Sequence, residues 1–169
     1  AAFFRVAYNY HMQREIIGFL SLFVLCALGA AGEESMSQEN WRTLTAEEER
    51  VIVGKGTERP FSGKYDKHRE PGVYTCRRCG AALYRADDKF DAGCGWPAFD
   101  DAVPGAVRRQ TDADGRRVEI LCATCGGHLG HVFIGERLTR RNVRHCVNSV
   151  SMDFVPAAEL DKRFSRAVF

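Results

Sequence analysis

The stretch RRVEILCATCGGHLGHVFIG, residues 116–135, combines the features that decide the fold. Its ends, RRVEILC and HVFIG, are rich in β-branched and apolar residues, which is typical of short strands. Between them lies CATCG, a C-x-x-C knuckle of the kind that presents two thiolates to one metal ion. The stretch therefore predicts two strands joined through a metal-ligating turn.

The rest of the chain repeats this pattern of short extended segments. Further strand candidates are GVYTC (72–76), ALYRA (82–86), VRRQT (107–111) and VRHCVNSVSMDFV (143–155). Glycine, proline and aspartate separate these segments, and no long helical periodicity competes with them. The pattern predicts a mainly β, antiparallel domain of the sandwich or barrel kind.

Two short helices are predicted at the ends of this domain. In TAEEERVIV, Thr45 is a candidate N-cap and Glu48 follows three residues later, which forms a capping box. We expect the main helix of the domain to begin there. The tail PAAELDKRFSRAVF, residues 156–169, is compatible with a terminal helix.

Composition and charge limit the class of protein. The chain has 169 residues, of which 45% are hydrophobic and 27% charged, and its formal net charge is +2. These values indicate one soluble globular domain and not a disordered chain. The arginine doublets alternate with acidic residues, which favours solvated faces over a basic groove, so we expect no nucleic-acid partner.

The N-terminal part differs in composition. Residues 16–31, IIGFLSLFVLCALGAA, carry no charge, follow Arg14 and end in small residues, which is typical of a secretory signal. An uncleaved membrane anchor and a buried helix are the alternatives. We expect a signal peptide or anchor over residues 1–31, a linker over residues 32–40, and Met12 as a candidate start. The protein is then periplasmic or otherwise exported, and touches a membrane only if the segment is uncleaved.

Two knuckles, CRRCG and CATCG, together supply four thiolates, which suit the tetrahedral preference of zinc. Four protein ligands leave no open position for substrate, so the predicted role is structural, with one zinc per chain. The alternatives are two disulfides in an oxidising compartment, a redox-active pair, or iron on the same thiolates. The predicted ligands are Cys76, Cys79, Cys122 and Cys125.

Of the seven cysteines, Cys26 lies in the apolar N-terminal run, so two further cysteines remain for chemistry. Cys94 lies in the turn FDAGCGWPAF, where its sulfur is expected to be reachable, and Cys146 lies in a predicted strand. Alternate residues of a strand share a face, so Arg144 and Asn148 should lie beside Cys146, and the arginine would favour a thiolate. The alternatives are that Cys146 is a small buried hydrophobic residue, or that the pair is a structural disulfide.

Three other side chains are candidates for the same site. His128 and His131 follow the second knuckle, and histidine can transfer a proton near neutral pH. Extra metal ligation or a surface position is the alternative for either one. Trp96, in a Gly-Trp-Pro turn, is either a core aromatic residue or the wall of a small apolar pocket.

These motifs together resemble the type B peptide-methionine (R)-S-oxide reductases. The matching strings, in the order of the family, are GTERPFSGKY, YTCRRCGAALY, KFDAGCGWPAF, CGGHLGHVF and RHCVNSVSMDF, and they cover about residues 41–155. The resemblance implies two antiparallel sheets, a structural zinc on the four knuckle cysteines, and reduction of methionine-(R)-sulfoxide in oxidised proteins. Residues 156–169 are then a C-terminal tail.

The resemblance also implies roles for individual residues. Cys146 would attack the sulfoxide sulfur and become a sulfenic acid, and Cys94 would resolve that acid to a disulfide that a thioredoxin-like donor reduces. Trp96 would receive the methyl group of the substrate. The remaining residues implied to line the site, with one histidine as proton donor, are His128, His131, Arg144 and Asn148.

One segment departs from the family pattern, because HVFIGERLTRRNV, residues 131–143, replaces a more familiar proline and aspartate-glycine loop. We expect a monomer that repairs oxidised proteins and, if exported, a thioredoxin-like donor outside the cytoplasm. The alternative from another class is a zinc-ribbon binding module without catalysis, which would have no use for a reactive Cys146.

Overall fold

A computed structural model of the chain describes residues 41–113 and 115–164. The predicted signal or anchor (1–31), the predicted linker (32–40) and the last five residues of the tail lie outside the described residues. Among the helices in the described part of the chain, none is long and apolar enough to cross a membrane.

The two predicted helices are present at the two ends of the domain. Helix α1 spans Ala46–Ile52, and its capping box is complete: the Glu48 N–H donates to Thr45 Oγ1 at 3.3 Å, and the Thr45 N–H donates to Glu48 Oε2 at 2.8 Å. Two otherwise unpaired N–H groups of the first turn are thereby satisfied. Helix α2 spans Ala157–Phe164 in the predicted tail.

Nine short strands make up two antiparallel sheets, which confirms the predicted fold class. The three-stranded sheet has the order β2-β1-β9, and the six-stranded sheet has the order β3-β4-β8-β7-β6-β5. The strands are β1 Gly72–Cys76, β2 Ala82–Arg85, β3 Lys89–Phe90, β4 Ala98–Phe99, β5 Val107–Thr111, β6 Val118–Cys122, β7 His128–Ile134, β8 Val143–Val147 and β9 Met152–Pro156.

The prediction of one long strand over residues 143–155 is wrong. The chain leaves strand β8 at Val147, makes a 3-10 turn over Ser149–Ser151, and continues as strand β9. The two strands belong to different sheets, so the turn carries the chain from one sheet to the other. Strands β3 and β4 were not predicted, because they have two residues each and show no periodicity.

The core lies between the two sheets and is rich in aromatic rings. Tyr84 of the small sheet stacks on Phe99 of the large sheet with ring centroids 4.3 Å apart, and Tyr74 meets the same ring edge-on at 5.1 Å. All three side chains are fully buried. Aromatic pairs of this kind add about 1 kcal/mol each to the apolar burial, so they stabilise the packing of sheet on sheet.

The topology places strand β8 inside the large sheet. Its Cys146 lies opposite Ala98 of β4 on one side and opposite His131 of β7 on the other. Gly130 permits the close approach of β7, because its φ is 152° and a Cβ there would lie 2.0 Å from the Cys146 carbonyl oxygen. Only glycine fits at that position, which fixes the backbone around Cys146.

Candidate active site and metal site

The two knuckles bring four sulfur atoms together. Each knuckle is a turn in which a glycine N–H donates to the carbonyl of the first cysteine: Gly80 to Cys76 at 2.8 Å and Gly126 to Cys122 at 2.9 Å. Both glycines have positive φ values, 80° and 70°, which the turn requires. The spacing of each motif thus folds its two thiols onto one side of a turn.

The four ligand atoms all lie within 4.8 Å of one another, so the predicted cysteines are close enough to hold a metal ion. Between the knuckles, the sulfur atoms of Cys76 and Cys125 are 3.6 Å apart, as are those of Cys79 and Cys122. Tetrahedral thiolates at about 2.3 Å from a zinc ion would be about 3.8 Å apart, whereas a disulfide bond is about 2.05 Å long. The donor set therefore fits a metal ion better than two disulfides.

Cys94 and Cys146 form a second sulfur pair, and their Sγ atoms are 3.9 Å apart. Cys146 is held in strand β8, whereas Cys94 sits in the loop before β4, between Gly93 and Gly95, both with positive φ. The loop is anchored by the Phe61 N–H, which donates to the Gly95 carbonyl at 2.7 Å. The structure thus brings together two cysteines that are far apart in the sequence.

The sulfur pair shares one proton near neutral pH. The hydrogen bond from the Cys146 thiol lowers the pKa of Cys94 to about 6, and the nearby charge of Arg144 acts in the same direction. The same hydrogen bond raises the pKa of Cys146, with burial adding to the effect. The first ionisation belongs to the pair, so one thiolate is available below the usual pKa of cysteine.

Arg144 is held against this pair by two neighbours. Its Nε and Nη2 donate to the two carboxylate oxygens of Glu136 at 2.7 and 2.8 Å, and its guanidinium lies 4.3 Å from the ring centre of Phe133. Its Nη1 lies 3.7 Å from the sulfur of Cys94. The Glu136 carboxylate raises the pKa of Arg144, which keeps the guanidinium charged.

A cavity of about 120 Å³ opens beside Cys146. It contains four of the predicted site residues, which come from β7, from β8 and the position after it, and from the loop before β4. The described residues that line it are Thr57, Trp96, Arg117, Gly130, His131, Phe133, Cys146 and Asn148. Its size suits a small apolar group with one polar atom, such as the end of a methionine side chain.

His131 faces this cavity from strand β7. Its Nε2 lies 2.8 Å from Oδ2 of Asp112, and that carboxylate also accepts a hydrogen bond from Arg117 at 2.8 Å. The hydrogen bond with His131 is the main cause that lowers the pKa of Asp112. The carboxylate therefore fixes the orientation of the imidazole.

His128 takes a different position, and the described residues that line the cavity do not include it. Its side chain is buried, and its Nδ1 lies 2.7 Å from Glu119, a buried carboxylate that also accepts from Lys55 and Gln110. Burial lowers the pKa of His128 despite the contact with Glu119. The ring packs edge-on against His131 with centroids 5.5 Å apart, so His128 supports the cavity from behind.

Trp96 and Asn148 also line the cavity, and both side chains are hydrogen-bonded to the main chain of Glu58. The Trp96 indole N–H donates to the Glu58 carbonyl at 3.2 Å, and Asn148 Oδ1 accepts the Glu58 N–H at 3.0 Å. Asn148 Nδ2 also donates to the Leu129 carbonyl at 3.1 Å. Asn148 lies just after strand β8, and it faces the same cavity as Cys146.

Several residues around the cavity were not among the predicted site residues. Phe133 shares a strand face with His131, so the alternation of β7 could have identified it. Thr57 lies in one of the family strings, GTERPFSGKY. The acidic partners carried no local signal, because each is defined by a contact from another strand or loop: Asp112, Glu119 and Glu136.

The geometry as a whole defines a class of protein: a small β-sheet oxidoreductase with a pair of cysteines beside a cavity and a separate cluster of four cysteines that could hold a metal ion. Comparison with known proteins agrees. The family model described as the SelR domain matches residues 44–156. Peptide methionine sulfoxide reductase B3 of Arabidopsis thaliana is 54% identical over 134 residues, covering 78% of this chain and 76% of that protein.

Two other relatives give the same result. Peptide methionine sulfoxide reductase B5 of Oryza sativa subsp. japonica is 52% identical over 79% of this chain and 100% of that protein. The chloroplastic B2 protein of Arabidopsis thaliana is 51% identical over 78% of this chain and 67% of that protein. The likeness to a solved Mis18 "Yippee-like" domain is weak, with a TM-score of 0.40 and 18% identity over 51% of this chain and 96% of that chain.

The chain belongs to the SelR family of peptide methionine sulfoxide reductases B. It is an enzyme of this kind, which confirms the family resemblance. The alternative of a zinc-ribbon binding module without catalysis is therefore set aside.

Proposed function

We propose that this enzyme reduces methionine-(R)-sulfoxide in oxidised proteins by a dithiol mechanism. The single observation that carries the proposal is the pair of sulfur atoms, Cys94 and Cys146, 3.9 Å apart beside a cavity lined by Trp96 and His131. A thiolate, an apolar wall and a proton donor then converge on one small space. Sulfoxide reduction requires these three components.

In the first step, the proton shared by the pair resides on Cys94, and the thiolate of Cys146 attacks the sulfoxide sulfur. The sulfoxide oxygen leaves the substrate and ends on the sulfur of Cys146, so that methionine is released and the cysteine becomes a sulfenic acid. The substrate sulfur gains two electrons and the cysteine sulfur loses two. One proton must be delivered to the oxygen during this transfer, which makes the substrate sulfur more electrophilic.

In the second step, the thiol of Cys94 attacks the sulfenic acid. A disulfide forms between the two cysteines and water leaves, and the short distance between the sulfur atoms favours this closure. A thioredoxin-like dithiol then reduces the disulfide and restores both thiols. Arg144 stabilises whichever sulfur is ionised, because its Nη1 lies 3.7 Å from Cys94 and its charge lowers the pKa of both cysteines.

His131 is our choice as proton donor, and His128 as its support. His131 lines the cavity and lies opposite Cys146 in the sheet, whereas the His128 imidazole is buried behind it. Asn148 offers an amide to the sulfoxide oxygen, and Trp96 contacts the methyl group. These side chains place the methyl group and the oxygen on fixed sides of the cavity, so that the (R) epimer fits and the other epimer does not.

For the metal site we propose zinc, held by the four knuckle cysteines and one per chain. When bound, the ion cross-links the turn after strand β1 to the turn after strand β6 and supplies no chemistry to substrate. The second knuckle leads directly into strand β7, so the cross-link also fixes the strand that carries His131. The donor set of four thiolates supports zinc, because soft ligands in a tetrahedral arrangement are those it prefers.

We further propose an exported monomer whose donor is outside the cytoplasm. The basis is the uncharged run over residues 16–31, which lies outside the described residues. Recovery of the intact N-terminus on protein purified from the cytosol would remove this basis.

The test of the catalytic proposal is turnover of both sulfoxide epimers with dithiothreitol, comparing the parent with Cys146→Ser and Cys94→Ser. We expect turnover of the (R) epimer alone, loss of activity in Cys146→Ser, and retained activity in Cys94→Ser, since an external thiol replaces the resolving group. With a thioredoxin-like donor, Cys94→Ser should stop after one cycle. Parental turnover by Cys146→Ser would contradict the proposal.

A further inference from the structure

The loop that follows helix α1 contains a buried acid whose role lies outside the sulfur chemistry. Glu58 is only 4% exposed, yet its carboxylate forms no ion pair among the described residues. Instead it accepts two backbone N–H groups, from Ser149 to Oε1 at 2.6 Å and from Val150 to Oε2 at 3.2 Å. Buried carboxylates are costly unless they are satisfied in this way, so the position has a specific use.

The main chain of Glu58 contacts two side chains that line the cavity. Its N–H donates to Asn148 Oδ1 at 3.0 Å, and its carbonyl accepts the Trp96 indole N–H at 3.2 Å. One residue therefore fixes the Asn148 amide and the Trp96 ring at once. The carboxylate fixes the backbone immediately after Asn148, so the amide is constrained from two directions.

The surrounding loop is shaped to keep Glu58 in place. A Cβ on Gly63 would lie 2.6 Å from Glu58 Oε1 and 2.2 Å from Ser149 Oγ, so glycine is required there. The Ser149 hydroxyl in turn accepts the Tyr65 N–H at 3.2 Å. Burial raises the pKa of Glu58, while the N–H groups of Ser149 and Val150 oppose this rise.

We propose that Glu58 is a positioning residue for the sulfoxide, which sets the separation and orientation of Trp96 and Asn148. The inference rests on the proposed function, because it assigns these two side chains to the methyl group and oxygen of the substrate. Glu58 touches neither sulfur atom, so it acts on substrate geometry and leaves the reactivity of the thiols unchanged. Misplacement of a substrate by about 1 Å can cost about 100-fold in rate.

The decisive variant is Glu58→Gln, which keeps the shape of the side chain but replaces one acceptor oxygen by an NH₂ group. Only one of the two backbone N–H groups can then be satisfied, and the other faces a donor. The matched control is Asp153→Asn in strand β9, a carboxylate that pairs with Arg42 and Arg77 away from the described cavity lining. Glu58→Asp, which keeps both acceptors on a shorter chain, serves as the second variant if the first does not fold.

Two rates are compared for each folded variant: kcat/KM for an (R)-sulfoxide peptide with dithiothreitol, and alkylation of Cys146 by iodoacetamide. We expect Glu58→Gln to lower kcat/KM by about 10- to 100-fold and Glu58→Asp by about fivefold, with alkylation within twofold of the parent. Asp153→Asn should change neither rate by more than about twofold.

A sulfoxide rate for either Glu58 variant that matches Asp153→Asn would overturn the inference, as would a parallel fall in alkylation, since that would indicate general loosening. If the parent is active and either of these two outcomes is found, the positioning role is refuted and the proposed function is not. A parent without sulfoxide turnover refutes the proposed function, and the inference with it.

Discussion

The two groups of cysteines in this protein differ in what surrounds them. The four knuckle sulfur atoms lie within 4.8 Å of one another and have each other as partners, and three of the four residues are buried. Of the other pair, Cys146 borders a cavity of about 120 Å³, and the sulfur of Cys94 lies 3.9 Å from that of Cys146 and contacts Arg144. This difference supports the two proposed roles, because the knuckle sulfur atoms enclose a space that suits a structural metal ion, whereas one side of Cys146 is open to a ligand.

Strand β7 connects the two regions. It begins two residues after the second knuckle, at His128, and its Gly130 packs against the carbonyl of Cys146. We therefore expect a metal ion bound at the knuckles to hold the strand that shapes the proposed reactive site and to contribute no group to the reaction. Substitutions in the two regions should separate into losses of stability and losses of activity.

The largest expected effect contrasts Cys122→Ser with Cys146→Ser. The first should release the metal and lower the free energy of unfolding by at least about 3 kcal/mol, because a structural metal contributes directly to folding. The second should lower sulfoxide reduction by about 10³-fold or more with the metal retained. Metal content, thermal unfolding and turnover with dithiothreitol measure the three quantities.

The contrast fails if Cys146→Ser loses the metal, or if Cys122→Ser remains as stable as the parent. Cys79→Ser provides a second test of the same knuckle site and should follow Cys122→Ser in both measurements. Chelation of the parent should reproduce the loss of stability without any substitution.

The next effect concerns the link between the regions. Gly130→Ala would place a Cβ 2.0 Å from the Cys146 carbonyl oxygen, so strands β7 and β8 must separate. We expect a loss of about 3 kcal/mol or more, together with reduced turnover. Gly105→Ala is the control, because its φ is 74° but nothing in the described structure lies within 4 Å of the added Cβ. Its cost should be about 1 kcal/mol with turnover unchanged, as chemical denaturation and activity assays would show.

Features set by local spacing were predictable from the sequence. The C-x-x-C knuckles and the Thr45 and Glu48 capping box depend on residues three positions apart, and both are present as predicted. The two-sheet architecture follows from the many short apolar segments and their turns. These signals need no knowledge of how distant parts of the chain meet.

Features set by distant contacts were not predictable from one sequence. Strand β8 ends where it does because Ser149 and Val150 donate their N–H groups to Glu58, about ninety positions away, and no local residue marks that end. The partner of Arg144 is Glu136 from the preceding loop. The charges around the sulfur pair could therefore be assigned only from the folded structure. Strands β3 and β4 are too short to show an alternation.

A smaller effect tests how the charge of Arg144 controls the ionisation of the Cys94 and Cys146 pair. The pKa of Cys94 is lowered to about 6 by the hydrogen bond from Cys146 and by Arg144, so iodoacetamide alkylation of the pair should rise as the pH increases through about 6. Arg144→Met removes a cation that favours the thiolate, and the midpoint should move up by about one pH unit. Peptide mass spectrometry identifies which cysteine carries the label.

Arg141→Met is the matched control for this shift. Arg141 lies three residues earlier and pairs with Asp88 and Asp100, so its removal should leave the midpoint within about 0.2 units. An unchanged midpoint in Arg144→Met would show that the two sulfur atoms alone set the ionisation.

The smallest effect separates charge from position in the arginine contact. Glu136→Gln removes a negative charge near the sulfur atoms, which should lower the alkylation midpoint by less than about 0.5 units. The guanidinium should stay in place, because it is stacked 4.3 Å from the Phe133 ring centre and glutamine still offers one acceptor oxygen. A rise toward the Arg144→Met value would instead show that the carboxylate positions the arginine, since loss of its contact with Cys94 would then outweigh the removed charge.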